Sequence, residues 1–206
     1  MAEKSRGHDR TRVWLAVVYP ESAPENWRSY LDDEYIEWAE SPLHEFDIDD
    51  KGINPDGTFE FKKPHWHLVL NFEGPKSFDQ VREILAPLNC PIPKKAHTIR
   101  GAVRYFTHID YPDKYQYNQQ DIVAHGGFDI EVYFAPSESE KFATVKEMQK
   151  WCRDNDVTEY SHLLDYASEV RYEDWYPLLL KEYTFVMTQY LKSRRFKNVG
   201  RNASDD

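Results

Sequence analysis

Cysteine is scarce in this 206-residue chain: Cys90 and Cys152 are the two, far apart and without a metal-type spacing. That points away from a disulfide framework and a cysteine-ligated metal, and fits reduced thiols in a cytoplasm. No apolar run approaches the roughly 20 residues of a membrane-spanning helix, so no membrane partner is expected. Met1 to Arg12 is polar and lacks the apolar centre of a secretion signal. Net positive charge is also missing, since 26 Lys and Arg face 36 Asp and Glu for a formal charge of −10. Strong nonspecific duplex binding is therefore not implied. No internal repeat is visible. What the chain does have is core material: 40% hydrophobic and 15% aromatic residues argue against wholesale disorder.

The charge is unevenly spread. Residues 1–61 carry 6 Lys and Arg against 15 Asp and Glu, whereas residues 62–114 carry 9 against 5. Residues 192–201 add five basic residues with no acid. The positive charge thus collects beside the residues that carry chemistry, described next.

Along the chain, residues 12–20 form a β-branched and aromatic run ending at Pro20, a buried strand. Pro24 opens a short helix to about Leu31, and residues 34–43 form a weaker strand broken at Ser41-Pro42. Asp47 to Gly57 is rich in Asp, Gly, Asn and Pro and reads as an exposed loop. Phe59 to Phe72 reads as one long strand. Ser77 caps a helix to about Leu88 with Phe78, Val81, Ile84 and Leu85 at helical spacing. A strand near 96–100, a short helix from Gly101 to Ile109 and a tyrosine-rich loop from Tyr111 to Gln120 follow. Ile122–Val123 and Ile130–Phe134 supply the last strand material. The order predicts a compact α+β fold with a central antiparallel sheet.

The character changes after residues 136–140. Thr144-x-x-Glu147 reads as a capping box, and residues 158–168 and 177–193 continue as amphipathic helices. The expected organisation is a compact α+β domain over 1–136, a linker near 135–142, a small all-α unit over 142–196 and a disordered tail over 197–206.

Residues at i and i+2 of a strand share a face, so His65 and His67 project together while Trp66, Leu68 and Leu70 point into the core. Two neutral imidazoles side by side are ready metal ligands, although a His-x-His pair alone more often simply lines a half-solvated strand. His44 and Asp47 end the preceding strand, where an antiparallel neighbour brings them beside the pair. Three imidazoles and a carboxylate make a four-ligand site with room for a phosphate oxygen. Ligand softness alone favours zinc or iron. Tyr105 sits on the candidate short helix with Arg100 and Arg104, which can clamp phosphates. A phenol, with a pKa near about 10, needs a cation or base to act as nucleophile at neutral pH. Alone, Tyr105 reads better as a core residue, the commoner fate of a helix tyrosine.

The runs Ser41-Pro42-Leu43-His44-Glu45-Phe46-Asp47, Lys63-Pro64-His65-Trp66-His67-Leu68-Val69-Leu70 and Arg104-Tyr105-Phe106-Thr107-His108 together resemble the three motifs of rolling-circle plasmid Rep proteins. These are single-tyrosine members of the HUH endonuclease superfamily. Trp14 to Pro20 with Glu21-Ser22, and Lys114-Tyr115-Gln116-Tyr117 before Asp121-Ile122, are similar too. The resemblance spans roughly residues 10–135 and implies a ferredoxin- or RRM-like HUH nuclease domain. It also implies His44, Asp47, His65 and His67 as ligands of manganese or magnesium, in place of zinc or iron. Tyr105 would attack a single-stranded origin loop, leaving a 5′-phosphotyrosine and a free 3′-hydroxyl, and rejoining would reverse the attack.

Tyr117 takes a supporting role in this reading, with Tyr111 and Tyr115 as competitors for the nucleophile. Lys62, Lys63, Lys94, Lys95, Arg100 and Arg104 are expected to form one basic face for DNA. Implied partners are plasmid origin DNA, both its double-stranded recognition site and its single-stranded nick loop, together with a host helicase and polymerase. The helical unit is read either as a homo-oligomerisation device or as a unit packed on its own nuclease domain. One departure stands out: the family commonly reads His-Asp-x-Asp where this chain has His44-Glu45-Phe46-Asp47, which touches what surrounds the ligands more than the ligands. Competing readings are a viral-type initiator, disfavoured by the lack of a P-loop after residue 135, a relaxase, a transposase, or an origin-binding regulator that does not cut.

Overall fold

The computed structural model describes residues 10–53 and 56–202, with the side chains of 50–53 and 197–202 left aside. The elements are β1 (Thr11–Val18), α1 (Trp27–Asp33), β2 (Glu37–Glu40), β3 (Ile48–Ile53), β4 (Phe59–Phe61), β5 (Trp66–Lys76), α2 (Phe78–Leu85), β6 (Lys94–Lys95), α3 (Ile99–Tyr105), β7 (Val123–His125) and α4 (Glu131–Phe134). Four helices follow: α5 (Glu138–Asp154), α6 (Tyr160–Val170), α7 (Trp175–Leu178) and α8 (Thr184–Asn202). The chain divides into two compact units, residues 1–135 and 136–206. The class is α+β.

The first unit is built on a five-stranded sheet of order β6-β1-β5-β2-β7 in which every neighbouring pair is antiparallel. Strand β5 occupies the middle because both of its faces can be buried. Leu68, Leu70 and Phe72 pack with Trp14, Trp27, Leu31, Trp38, Val81 and Leu85 beneath α1 and α2. On the opposite face Val69 joins Ala39, Val103 and Phe106 under α3. Ser77 holds α2 by a full capping box, its hydroxyl accepting from Gln80 N–H while the Gln80 side chain accepts from Ser77 N–H.

Several local expectations need correction. The Asp47–Gly57 stretch is not all loop, because β3 pairs with β4 as a separate two-stranded sheet. The long strand from Phe59 to Phe72 is therefore two strands, separated at Lys62–Pro64, where the proline has no N–H for a ladder. The strand expected near 96–100 lies earlier, at 94–95, because the Thr98 side chain accepts from Gly101 N–H and starts α3. Residues 131–134 form a helical turn instead of a strand, with the Asp129 carboxylate accepting from Glu131 N–H at 3.1 Å.

The second unit buries Val145, Met148, Cys152, Leu163, Ala167, Trp175, Leu179, Met187 and Leu191 in its own core. Helix α5 begins at Glu138, inside the expected linker, because Ser137 and Glu140 form the capping box. The Thr144 hydroxyl instead donates to the Glu140 carbonyl within the helix at 3.0 Å. A π-helical turn, Leu179–Tyr183, joins α7 to α8, and the Leu179 carbonyl there accepts from the Tyr160 and Thr184 hydroxyls. The backbone of α8 runs to Asn202 across most of the expected tail, and residues 203–206 lie outside the described residues.

Candidate metal centre and its neighbouring tyrosine

The cluster depends on how the sheet absorbs one extra residue in the chain. Glu40 pairs with Leu68, yet the next bridge is His44 with His65. Three residues, 41–43, thus face two, 66 and 67, which makes a β-bulge. By plain alternation His44 would fall on the tryptophan side with Trp38 and Glu40. The bulge turns it to the α3 face, beside His65 and His67. Ser41 repairs the ladder there, its hydroxyl accepting the His67 N–H at 2.9 Å.

On that face one ligand atom each from His44, Asp47, His65 and His67 lie within 4.8 Å of one another. His65 Nε2 and His67 Nε2 are 3.2 Å apart, and Asp47 Oδ2 lies 3.4 Å from His44 Nδ1 and 4.0 Å from His65 Nε2. Carbonyl oxygens only accept, so the ring nitrogens facing them carry the hydrogens. His44 Nε2 donates to Phe106 O at 2.8 Å and His65 Nδ1 to Lys63 O at 2.7 Å. Each bond leaves the other nitrogen of a neutral ring turned toward the cluster with its lone pair.

Burial lowers the pKa of His65 and drives that of His67 well below the usual histidine value, which keeps both rings neutral. Burial alone would raise Asp47, but the neighbouring His44, the Tyr117 hydroxyl and His108 hold its carboxyl far below the usual carboxylate range. Converging lone pairs and a carboxylate fit a divalent cation. The 3.2 Å nitrogen separation suits adjacent positions of either an octahedral or a tetrahedral ion at ligand distances of about 2.1 Å.

Tyr105, the last residue of α3, stands against this cluster. Its ring meets His67 edge-on with centroids 5.2 Å apart, and its hydroxyl accepts from Lys114 Nζ at 2.8 Å. Tyr117 is occupied otherwise. Its ring stacks on His44 at 4.1 Å, and its hydroxyl donates to Asp47 Oδ1 while accepting from Phe46 N–H, each at 3.0 Å. Burial, together with the Asp47 charge, raises the Tyr117 pKa far above that of a free phenol, so it orients the carboxylate and makes a poor nucleophile. Tyr111 and Tyr115 are about half exposed, Tyr111 edge-on to Tyr105 at 5.5 Å and Tyr115 against Phe46 at 4.7 Å. A cavity of about 310 Å³ opens beside Tyr105, lined by His67, His97, Thr98, Gly101 and Tyr111.

The six basic residues do not form one face. Lys94 pairs with Leu15 and Lys95 with Trp14, so their side chains leave opposite sides of the sheet. Lys95 Nζ lies 5.9 Å over the Trp14 ring, across the sheet from the histidines. Lys63 is ion-paired with Glu21 at 2.6 Å and Arg104 with Asp110, while Arg100 donates to Ala135 O at 2.8 Å. Lys62 lines a cavity of about 210 Å³ with Asp47, Lys114 and Tyr115.

Two residues that the motif reading leaves without a role complete the surroundings. His108 is fully buried in a left-handed conformation, φ 58°, and donates from Nδ1 to Tyr115 O at 2.8 Å. Its Nε2 has no hydrogen-bond partner among the described residues and lies 3.9 Å from Asp47 Oδ2. Lys114 reaches back nine positions along the sequence to the Tyr105 oxygen. Histidine three residues beyond the tyrosine was a usable signal for the first; nothing periodic connects Lys114 to Tyr105.

Fold and site together define a mixed α+β protein whose antiparallel sheet presents a candidate metal centre beside a helix-borne tyrosine. The chain belongs to the plasmid replication protein family. Residues 6–131 match the family described as plasmid replication protein, origin binding domain, and residues 138–196 match replication protein RepB, C-terminal. A replication protein of Staphylococcus aureus is 34% identical over 195 residues, covering 95% of this chain and 94% of that protein. Replication protein RepB of Lactiplantibacillus plantarum is 43% identical over 187 residues, covering 90% and 82% respectively. Among the described residues no helix is long and apolar enough to cross a membrane.

Proposed function

We propose that this protein initiates rolling-circle replication of a plasmid by nicking one strand of the origin and later rejoining it. The observation that carries the reading is the Tyr105 ring against His67, a member of the His44–Asp47–His65–His67 cluster. In this reading a nucleophile stands beside a set of ligands for a divalent cation. Family membership supports origin DNA as the substrate. The four ligands would hold manganese or magnesium, which supplies Lewis-acid stabilisation of charge on the scissile phosphate.

Tyr105 Oη forms a bond to phosphorus while the bond from phosphorus to the 3′ oxygen breaks. The tyrosine proton is lost through solvent, the 3′ oxygen gains one, and a 5′-phosphotyrosine remains beside a free 3′-hydroxyl. That hydroxyl is a primer for a host polymerase working behind a host helicase. Closure runs the same step backwards. Unit 1 binds the origin, both the double-stranded site and the single-stranded loop, and unit 2 assembles copies of the chain. An acidic protein acting in the cytoplasm then grips DNA through local cations, Lys62 among them.

The test is incubation with a single-stranded origin oligonucleotide and manganese, followed by peptide mapping. A covalent adduct on Tyr105 is expected. An adduct on Tyr111, Tyr115 or Tyr117 would overturn the nucleophile, and binding without cutting under any divalent metal would make the protein an origin-binding regulator.

A further inference from the structure

The segment after α3 leaves the site and returns to it, and its hydrogen bonds close it on itself. Tyr111 N–H donates to His108 O at 2.7 Å, Lys114 N–H to Tyr111 O at 3.0 Å, and Tyr117 N–H to Thr107 O at 3.2 Å. The Gln116 amide sits within, its Nε2 lying 3.1, 2.9 and 2.9 Å from the carbonyl oxygens of His108, Tyr111 and Lys114, which share its two hydrogens. The loop therefore fixes the main chain of Lys114. Its side chain then spans the faces of two tyrosines, with Nζ 4.7 Å from the Tyr105 ring centre and 5.3 Å from that of Tyr111. It ends 2.8 Å from Tyr105 Oη. Arg104, on the same helix as Tyr105, is turned to Asp110 instead.

We infer that Lys114 is a catalytic residue of strand transfer, its ammonium holding the Tyr105 oxygen and stabilising negative charge there as the bond to phosphorus forms. The inference rests on Tyr105 being the nucleophile. An ammonium has three donors and no lone pair, so it cannot take the tyrosine proton, which leaves through solvent as the 3′ oxygen acquires one. What it can do is stabilise an oxygen that is more negative in the transition state than in neutral phenol. In rejoining the same oxygen is the leaving group, so Lys114 lowers one barrier shared by both directions.

That reversibility separates catalysis from scaffolding. Lys114→Met should slow nicking and rejoining by the same factor, about 10²-fold, the usual cost of one preorganised donor. Affinity for the origin oligonucleotide, read by fluorescence anisotropy with manganese present, should stay within about twofold, and Lys114→Arg should keep most of the rate by retaining the charge. Replacing Tyr105 by 3,5-difluorotyrosine, a more acidic phenol, should restore part of the rate in the Lys114→Met background. A structural role predicts no such rescue. Undiminished nicking by Lys114→Met, or a loss matched by lost DNA affinity, overturns the inference while leaving Tyr105 as nucleophile. A wild-type chain that forms no adduct at Tyr105 removes both.

Discussion

Strand β5 has one backbone and two unlike faces. On the side of Trp66, Leu68, Leu70 and Phe72 the neighbours are tryptophans and aliphatic side chains, and Leu68, Leu70 and Phe72 are at most 1% exposed. On the side of His65 and His67 the same strand meets imidazoles, a carboxylate and a phenol. A two-residue period separates stability from chemistry at adjacent positions. The tryptophan face can hold the histidine face still because it is packed on a different layer and shares no side chain with it.

The sharpest test of that division is Tyr105→Phe. It should leave origin affinity unchanged and reduce adduct formation by more than about 10⁴-fold, since the attacking oxygen is gone. His67→Ala should lower metal-dependent nicking by about 10³-fold, yet shift the denaturation midpoint of metal-free protein only slightly. If His67→Ala unfolds the protein as readily as a core truncation, the two faces are not separable. The reciprocal change, Leu68→Ala, should cost about 2–5 kcal/mol in urea unfolding while the nicking rate per folded molecule stays within about tenfold.

Manganese at about 100 times its dissociation constant should add about 2.7 kcal/mol to the unfolding free energy of wild type, and this increment should vanish in His67→Ala. The smallest effect is on pH dependence without metal. His65, His67 and His108 titrate below the free-histidine value when folded, so the unfolded chain binds more protons as pH falls through that value. Stability is then full above about pH 6.5 and declines below it, by at most about 1.4 kcal/mol per pH unit for each histidine. Asp47 acts in the same direction at lower pH, since its carboxyl is depressed in the fold. Urea melts at pH 7 and 5.5 should show the decline, and His67→Ala should flatten it.

Much of this was readable in advance for local reasons. The alternation of β5 and the capping of α2 are written in neighbouring residues, as is the His-x-His pair. The β3–β4 pairing was not readable because Asp- and Gly-rich sequence carries turn chemistry, and only the cross-strand partner Phe61 opposite Ile48 reveals a strand. For the start of α5, Ser137-x-x-Glu140 and Thr144-x-x-Glu147 offer one signal twice, and the helix uses the earlier. Charge alone puts Lys95 on the DNA face, whereas strand alternation from Trp14 puts it on the opposite side of the sheet. His108 and Lys114 are brought to the site by a loop whose closure depends on Gln116, a residue with no chemistry of its own to draw attention.

The bulge at Ser41–Leu43 makes the composition of the site a matter of arithmetic parity. At a spacing of four from Glu40 an unbroken ladder would turn His44 to the tryptophan side, and the bulge turns it back; deleting one residue there would remove the bulge and leave the imidazole opposite His65 on the α3 face. A chain one residue shorter there would keep the same four side chains together on a regular ladder, whereas a ladder that closed without the bulge at the present spacing would hold one imidazole fewer.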